Sequence, residues 1–159
     1  MSSGKRGLKV IASAVLIASA MVSTPMAHAV ADGTVACGTS GTFTVASNVV
    51  TGNTACVGSA TIPEGVTEIG SGAFFGSGLT SVVLPSSLRV ISELAFRGTA
   101  LTSVVLPSGL TMIAESAFSN TQLTSLVIPD SVTRVGGGAF YNSRLSSVEF
   151  GSGVQVIEG

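Results

Sequence analysis

The apolar residues of this chain recur with a fixed period of 22 residues. Four segments of that length align without a gap, each led by a proline, at Pro63, Pro85, Pro107 and Pro129. The first reads PEGVTEIGSGAFFGSGLTSVVL and the second PSSLRVISELAFRGTALTSVVL. Residues 57–62 match the end of a copy, and residues 151–159 match the beginning of a fifth. Such self-similarity predicts a stack of coils, because one copy cannot shield its own apolar side chains.

Equivalent positions of the four copies form columns, and seven columns are apolar in every copy. We expect these columns to face the core; in the first copy they are Val66, Ile69, Ala73, Phe74, Leu79, Val82 and Leu84. The alternation around Val82 predicts a strand, the next proline turns the chain, and the Ala-Phe segment fits one helical turn. The predicted fold class is therefore an α/β solenoid, a short array of stacked 22-residue coils, each with a strand, a turn and one helical turn.

The amino terminus has a different character. Three of the seven basic residues lie in the first nine positions, an apolar run follows at 10–22, and the small-residue tripeptide Ala27-His28-Ala29 comes next. This layout is typical of a secretory signal peptide, and we expect cleavage after Ala29. A retained membrane anchor is the alternative, but the run is shorter than the roughly 20 residues that cross a bilayer. The predicted localisation is secreted or at the cell surface.

Removal of residues 1–29 would leave four Arg against eight acidic residues, a net charge of −4. Nucleic acid and anionic membrane are therefore not expected partners, because both require a dense basic surface. The cut also removes His28, the only histidine, and with it imidazole chemistry.

Glu93 and Glu115 share a column and could hold a cation or act as a glycosidase-like pair. Solvated glutamates are the simpler interpretation, and we expect no catalytic, metal-binding or cofactor-binding residues and no cofactor.

Two cysteines remain in the exported chain, Cys37 and Cys56. An oxidising compartment favours one disulfide over a metal site, because two thiolates without histidine fall short of four zinc ligands. Closing a loop of about 20 residues would stabilise the fold by roughly 3 kcal/mol in the chain-entropy model.

The repeat pattern L-x-x-V-x-L-P-x-x-L-x-x-I-x-x-x-A-F resembles the BspA-like class of leucine-rich repeat. The leader from Cys37 to Cys56 looks like the disulfide-closed segment that precedes such arrays in secreted bacterial proteins. The resemblance implies a surface or secreted interaction module, often in adhesion, with no catalytic residues to carry over. The expected organisation is a signal peptide (1–29), an N-terminal cap segment (30–62), four leucine-rich repeats (63–150) and a partial fifth repeat (151–159).

Two sets of outward residues are candidate partner-binding positions. One is an apolar stripe on the predicted strands, formed by Val83, Val105 and Val127. Valine there could also serve only β-propensity. The other set follows each Ala-Phe pair and comprises Phe75, Arg97, Tyr141 and Arg144. Phenylalanine, tyrosine and arginine are enriched in binding hot spots. Ordinary variation on an exposed turn is the alternative explanation. The expected function is non-catalytic binding of a protein or glycan at a bacterial surface.

The sequence is also compatible with two other functions. The partial fifth repeat supplies Val154 and Ile157 but no Ala-Phe pair and no closing strand. We expect either a longer natural array, which we favour, or self-association through this open C-terminal coil as a structural surface protein. A secreted hydrolase that uses carboxylates alone is the less favoured alternative.

Overall fold

The computed structural model describes residues 32–159, which form strands and turns without any helix. Within that range, accordingly, no helix is long and apolar enough to cross a membrane. The predicted signal peptide and its cleavage site lie outside the described residues. The strands are β1 (Gly33–Ala36), β2 (Ser40–Ala46), β3 (Val49–Thr61), β4 (Glu68–Ile69), β5 (Gly78–Val83), β6 (Val90–Ile91), β7 (Met112–Ile113), β8 (Ser125–Ile128), β9 (Arg134–Val135), β10 (Ser147–Phe150) and β11 (Val156–Ile157).

The strands stack coil upon coil in the 22-residue period. In the larger sheet, β4, β6, β7, β9 and β11 pair in parallel, so that Ile69 lies beside Ile91 and Ile91 beside Ile113. β5 pairs in parallel with β3, and β8 with β10. The short parallel strands belong to a solenoid, because the strand of one coil pairs with the strand of the next and the ladder continues along the stack. The fold is a β-solenoid of stacked coils.

The Ala-Phe segment does not form the predicted helical turn. It forms consecutive turns whose N–H groups alternate between two acceptors. In the first repeat, the Phe75 N–H donates to Gly72 O within its own coil at 3.0 Å, while the Phe74 N–H donates to Ala95 O of the next coil at 2.8 Å. A helix would direct each N–H to the residue four positions earlier. Here every second N–H donates to a carbonyl of the neighbouring coil, and this hydrogen bond between coils replaces the hydrogen bond of a helix.

Two columns of the turn segment adopt left-handed backbone conformations. One contains Gly72, Leu94, Ser116 and Gly138, with φ from 54° to 62°. The other contains Gly76, Gly98, Asn120 and Asn142, with φ from 53° to 72°. Left-handed residues at both ends of the Ala-Phe pair prevent the helix from closing. Glycine and asparagine tolerate this conformation, whereas Leu94 adopts it at a steric cost of about 1 to 2 kcal/mol.

The core is a ladder of aromatic rings along the stacking axis. The rings of Phe74, Phe96 and Phe118 are fully buried and nearly parallel, with centroids 5.4 and 5.2 Å apart. Phe140 continues the ladder at 6.0 Å from Phe118 and is half-buried. The alanine column beside the rings is also buried in every repeat. A larger side chain there would separate the coils, which explains why the Ala-Phe pair is repeated.

The first three strands cap the stack at its amino-terminal side. Phe43 on β2 meets the ring of Phe74 edge-on, with centroids 5.7 Å apart. Asn53 on β3 donates its side-chain N–H to Ala73 O at 2.7 Å. In the repeats, the same carbonyl position accepts a phenylalanine N–H from the preceding coil. Asn53 therefore replaces the missing coil, and Phe43 replaces its ring.

A disulfide holds the cap together. It joins Cys37 to Cys56, as predicted, with the two Cα atoms 5.5 Å apart. Both cysteines are buried. The bond connects the segment after β1 to β3, the strand that pairs with β4 and β5 of the first repeat.

Replacing Phe118 by Ala should lower the free energy of unfolding by about 3 to 5 kcal/mol, because the cavity would lie between two filled coils. Phe75→Ala should cost far less, since 57% of that side chain's surface is exposed. Urea unfolding measures both losses. Equal losses would contradict the register of the stack.

Replacing Asn53 by Ala should cost about 1 to 3 kcal/mol, because the Ala73 carbonyl would lose its hydrogen-bond donor at the end of the core. Asn142→Gly is the matched control. It removes an exposed amide hydrogen bond to Asn120 and permits the same positive φ. A loss no greater for Asn53→Ala than for Asn142→Gly, in the same unfolding assay, would show that the cap does not depend on Asn53.

Candidate functional site

The first candidate surface lies on the segments that precede each proline, and we call it the strand face. Its outward positions form three ladders: threonine at 80, 102 and 124, serine at 81, 103 and 125, and valine at 83, 105 and 127. The three valines are exposed by 61%, 85% and 62%. In the last complete repeat, Glu149 takes the valine position and introduces the first charge. The strand face is thus uncharged and apolar along one edge over three coils.

The strand face is interrupted at its second coil. The expected strand forms in three of the four copies, as β5, β8 and β10, but not over residues 101–106. Among the described residues, no backbone hydrogen bond reaches 103–106, although Thr102 N–H still donates to Thr80 O at 3.4 Å. Val104 is half-buried where Val82 and Leu126 are buried. The backbone beside the most exposed valine is therefore unpaired.

The second candidate surface lies on the turn segments, and we call it the turn face. Phe75 and Tyr141 occupy one column and are exposed by 57% and 72%. The Arg97 guanidinium lies over the Phe75 ring, 5.9 Å from its centroid. Ser119 departs from the exposure expected for this column: it is only 2% exposed. The small serine side chain is covered by the residues around it, whereas the larger side chains of this column project into solvent.

Charged side chains border both faces without joining into a cluster. Within residues 32–159, the only ion pair joins Arg134 to Glu158. Arg89 donates to the carbonyls of Ser86 and Leu88 instead of to a carboxylate. At the corner after the strand face, the Ser86 N–H donates to Glu64 Oε1 at 3.1 Å, and this hydrogen bond lowers the pKa of Glu64.

The structure gives no support to a cation site at the paired glutamates. Glu93 and Glu115 are both exposed. Over residues 32–159, no group of three or more His, Cys, Asp or Glu side chains is placed to hold a metal ion. The serines of the strand face share their surface with threonine and valine, with no imidazole in the described range.

The last coils are less completely covered than the middle ones. Phe150 was expected in the core, but half of its surface is exposed. Leu145 and Val148 are half-buried, and the β11 residues Val156 and Ile157 are 45% and 61% exposed. The reason is that only part of another coil lies over this side of the stack.

The repeat and its geometry correspond to a known family. A family model described as BspA type leucine-rich repeat region matches residues 47–159 in six copies. The chain belongs to the BspA-type leucine-rich repeat family. The match begins within the cap, ahead of the first complete repeat, where β3 already pairs with β4 as one coil pairs with the next.

Several solved structures share the fold, and two of them are described as leucine-rich repeat proteins. One from Bacteroides capillosus is 31% identical, with a TM-score of 0.57, over 74% of this chain and 97% of that one. One from Bacteroides ovatus is 28% identical, with a TM-score of 0.55, over 61% of this chain and 30% of that one. The pneumococcal vaccine antigen PcpA is 20% identical, with a TM-score of 0.54, over 79% of this chain and 40% of that one, and supports the fold alone.

The chain therefore spans well under half the length of the Bacteroides ovatus protein and of the pneumococcal antigen. A comparison with curated proteins gives no significant match.

The interruption of the strand face predicts fast hydrogen exchange at the amides of Val104 and Val105, because no backbone hydrogen bond protects them. The hydrogen-bonded amides of β5 and β8 serve as the internal control. Exchange measured by NMR should be slower in these two strands than at Val104 and Val105. Equal protection of all these amides would mean that the second coil pairs like the others.

Proposed function

We propose that this protein is a non-catalytic interaction module outside the cell, which contacts a protein partner through the strand face. The single observation that supports this most is the valine ladder, in which Val83, Val105 and Val127 remain 61% or more exposed. Exposed apolar side chains in a continuous row are typical of contact surfaces. The middle of the row lacks charge, as interface cores do.

The rigidity of the stack supports the same proposal. Each valine lies on a coil whose inward neighbours belong to a continuous core. Val83 and Val127 also lie on the paired strands β5 and β8, so a partner would meet an ordered backbone at these two positions, and binding there would require little loss of conformational freedom. The serine and threonine ladders beside the valines offer short hydroxyl groups, which suit the polar rim of an interface.

The extracellular setting is part of the proposal. The Cys37–Cys56 disulfide is of the kind that persists in oxidising compartments. The signal peptide predicted at residues 1–29 would deliver the chain there. Absence of catalysis is likewise proposed, on the grounds that the described carboxylates do not converge and that the predicted exported chain contains no histidine.

Self-association as a structural surface protein is the second candidate function. Phe150 and Ile157 are 50% and 61% exposed, and a coil stacked on them, from this chain or from a second copy, would cover both. If self-association operates, light scattering of the purified chain should show a mass that rises with concentration, and Ile157→Asp should abolish the rise.

The strand-face proposal predicts that the chain binds at least one protein from a panel of immobilised extracellular-matrix proteins. Val105→Asp should then weaken binding about tenfold or more, because it places a charge at the centre of an apolar contact. Gln155→Asp is the matched control, since it adds the same charge at an exposed position outside the strand face, just before β11. Binding that survives Val105→Asp would exclude the strand face as the contact.

Turnover of a hydrolase substrate that Glu93→Gln abolishes would refute the non-catalytic assignment.

A further inference from the structure

The geometry points to a second binding site on the turn face, which takes a neutral glycan chain lying along the stacking axis. This inference goes beyond the proposed protein contact, because it uses different residues on a different side of each coil. Its two aromatic residues are Phe75 and Tyr141, and its polar groups are Arg97, Arg144 and the two glutamates Glu93 and Glu115.

The aromatic residues are placed as two supports for an extended ligand. Phe75 and Tyr141 occupy the same column three coils apart, and successive core rings beneath them are 5.2 to 6.0 Å apart. One coil spacing is thus close to the length of one pyranose unit in an extended glycan. Aromatic rings present an electron-rich face, which attracts the C–H groups on the apolar face of a sugar ring. An extended oligosaccharide could therefore contact both rings at once.

Between the two rings, one position of the column carries a short, buried side chain. Ser119 lies in the same column between Arg97 and Tyr141 and is 2% exposed. The Arg97 guanidinium lies over the Phe75 ring, 5.9 Å from its centroid, so a sugar would contact Phe75 through the ring surface that the guanidinium leaves exposed. The column therefore presents an exposed ring at each end, and the short side chain of Ser119 does not project from the surface between them.

The polar groups around the rings distinguish the type of glycan. Arg144 is exposed and Arg97 is half-buried, and neither pairs with a carboxylate within residues 32–159. Glu93 and Glu115 are exposed on the same turn segments, four positions before the aromatic column. The guanidinium groups can donate to sugar hydroxyls and the carboxylates can accept from them. An anionic polymer would be repelled by the glutamates and a cationic one by the arginines, so a neutral, hydroxyl-rich chain fits both.

The turn face differs from the strand face in the chemistry that recognises sugars. Its large side chains carry a ring, a guanidinium or a carboxylate, all of them planar groups, whereas the strand face offers only valine, serine and threonine over its first three coils. Planar groups with paired donors or acceptors match neighbouring hydroxyls on a sugar ring. An apolar β-surface has no such groups. The two faces are therefore suited to different partners.

The test uses the full chain and isothermal titration with linear oligosaccharides of glucose, mannose, xylose and N-acetylglucosamine, each long enough to cover three coil spacings. At least one should bind saturably, and its disaccharide should bind more weakly. Tyr141→Ala and Phe75→Ala should each weaken binding about tenfold. Both side chains are mostly exposed, so the unfolding midpoint should stay close to that of the unchanged chain, and Gln155→Asp should leave binding unchanged.

Three results would overturn the inference. One is the absence of saturable binding by all four oligosaccharides at millimolar concentration. Another is binding that Tyr141→Ala leaves unchanged. The third is preferential, salt-sensitive binding of heparin or of a protein through the same residues, which would assign the turn face to an anionic polymer or to a protein. Binding of matrix proteins, and its weakening by Val105→Asp, is measured in a separate assay. A negative result with oligosaccharides would therefore refute the glycan site without bearing on the strand-face proposal.

Discussion

Every coil of this protein depends on stacking at a constant interval of 22 residues, which brings one phenylalanine ring over the next. The interval cannot vary within the repeats, because a shift of one residue would move the buried Phe96 out of the ladder and bring the half-buried Arg97 into it. The alanine column beside the rings sets how closely the coils approach. Burial of apolar side chains supplies the main driving force for folding. The fixed interval allows only one register of the coils in which these side chains are all buried.

The same interval explains the conformation of the turn segments. Once the coils are in register, alternate N–H groups of one turn lie opposite carbonyls of the next, and hydrogen bonds across the stack satisfy them. These bonds compete with helix formation within the coil and prevail, because the neighbouring coil is held in place by its own core. The left-handed residues on either side of the Ala-Phe pair act in the same direction, because they also prevent a helix from closing. The stack tolerates even Leu94 in that conformation.

Separation of the two outer surfaces follows from this architecture. Each coil turns its backbone twice, so that strand positions and turn positions face different directions while they share one core. The strand positions carry valine, serine and threonine, which suit an extended backbone. The turn positions are less restricted and carry the aromatic and charged side chains. A repeat of this kind can therefore present an apolar contact surface and a polar, aromatic one on the same rigid stack.

The sequence by itself determined the period, the seven apolar columns, the disulfide and the exposure of Val83 and Phe75, because these depend on residue type and spacing along one chain. One feature of the sequence opposes the predicted helical turn: a column of glycine and asparagine, at Gly76 and Asn120 and their equivalents, indicates positive φ. The unpaired second coil and the burial of Ser119 could not be predicted, because each depends on the neighbouring coils. The same is true of the role of Asn53, whose side chain matches a carbonyl of the next coil only after the cap has folded onto the stack. Residue type fixes what a position can do, and only tertiary packing decides which partner it meets.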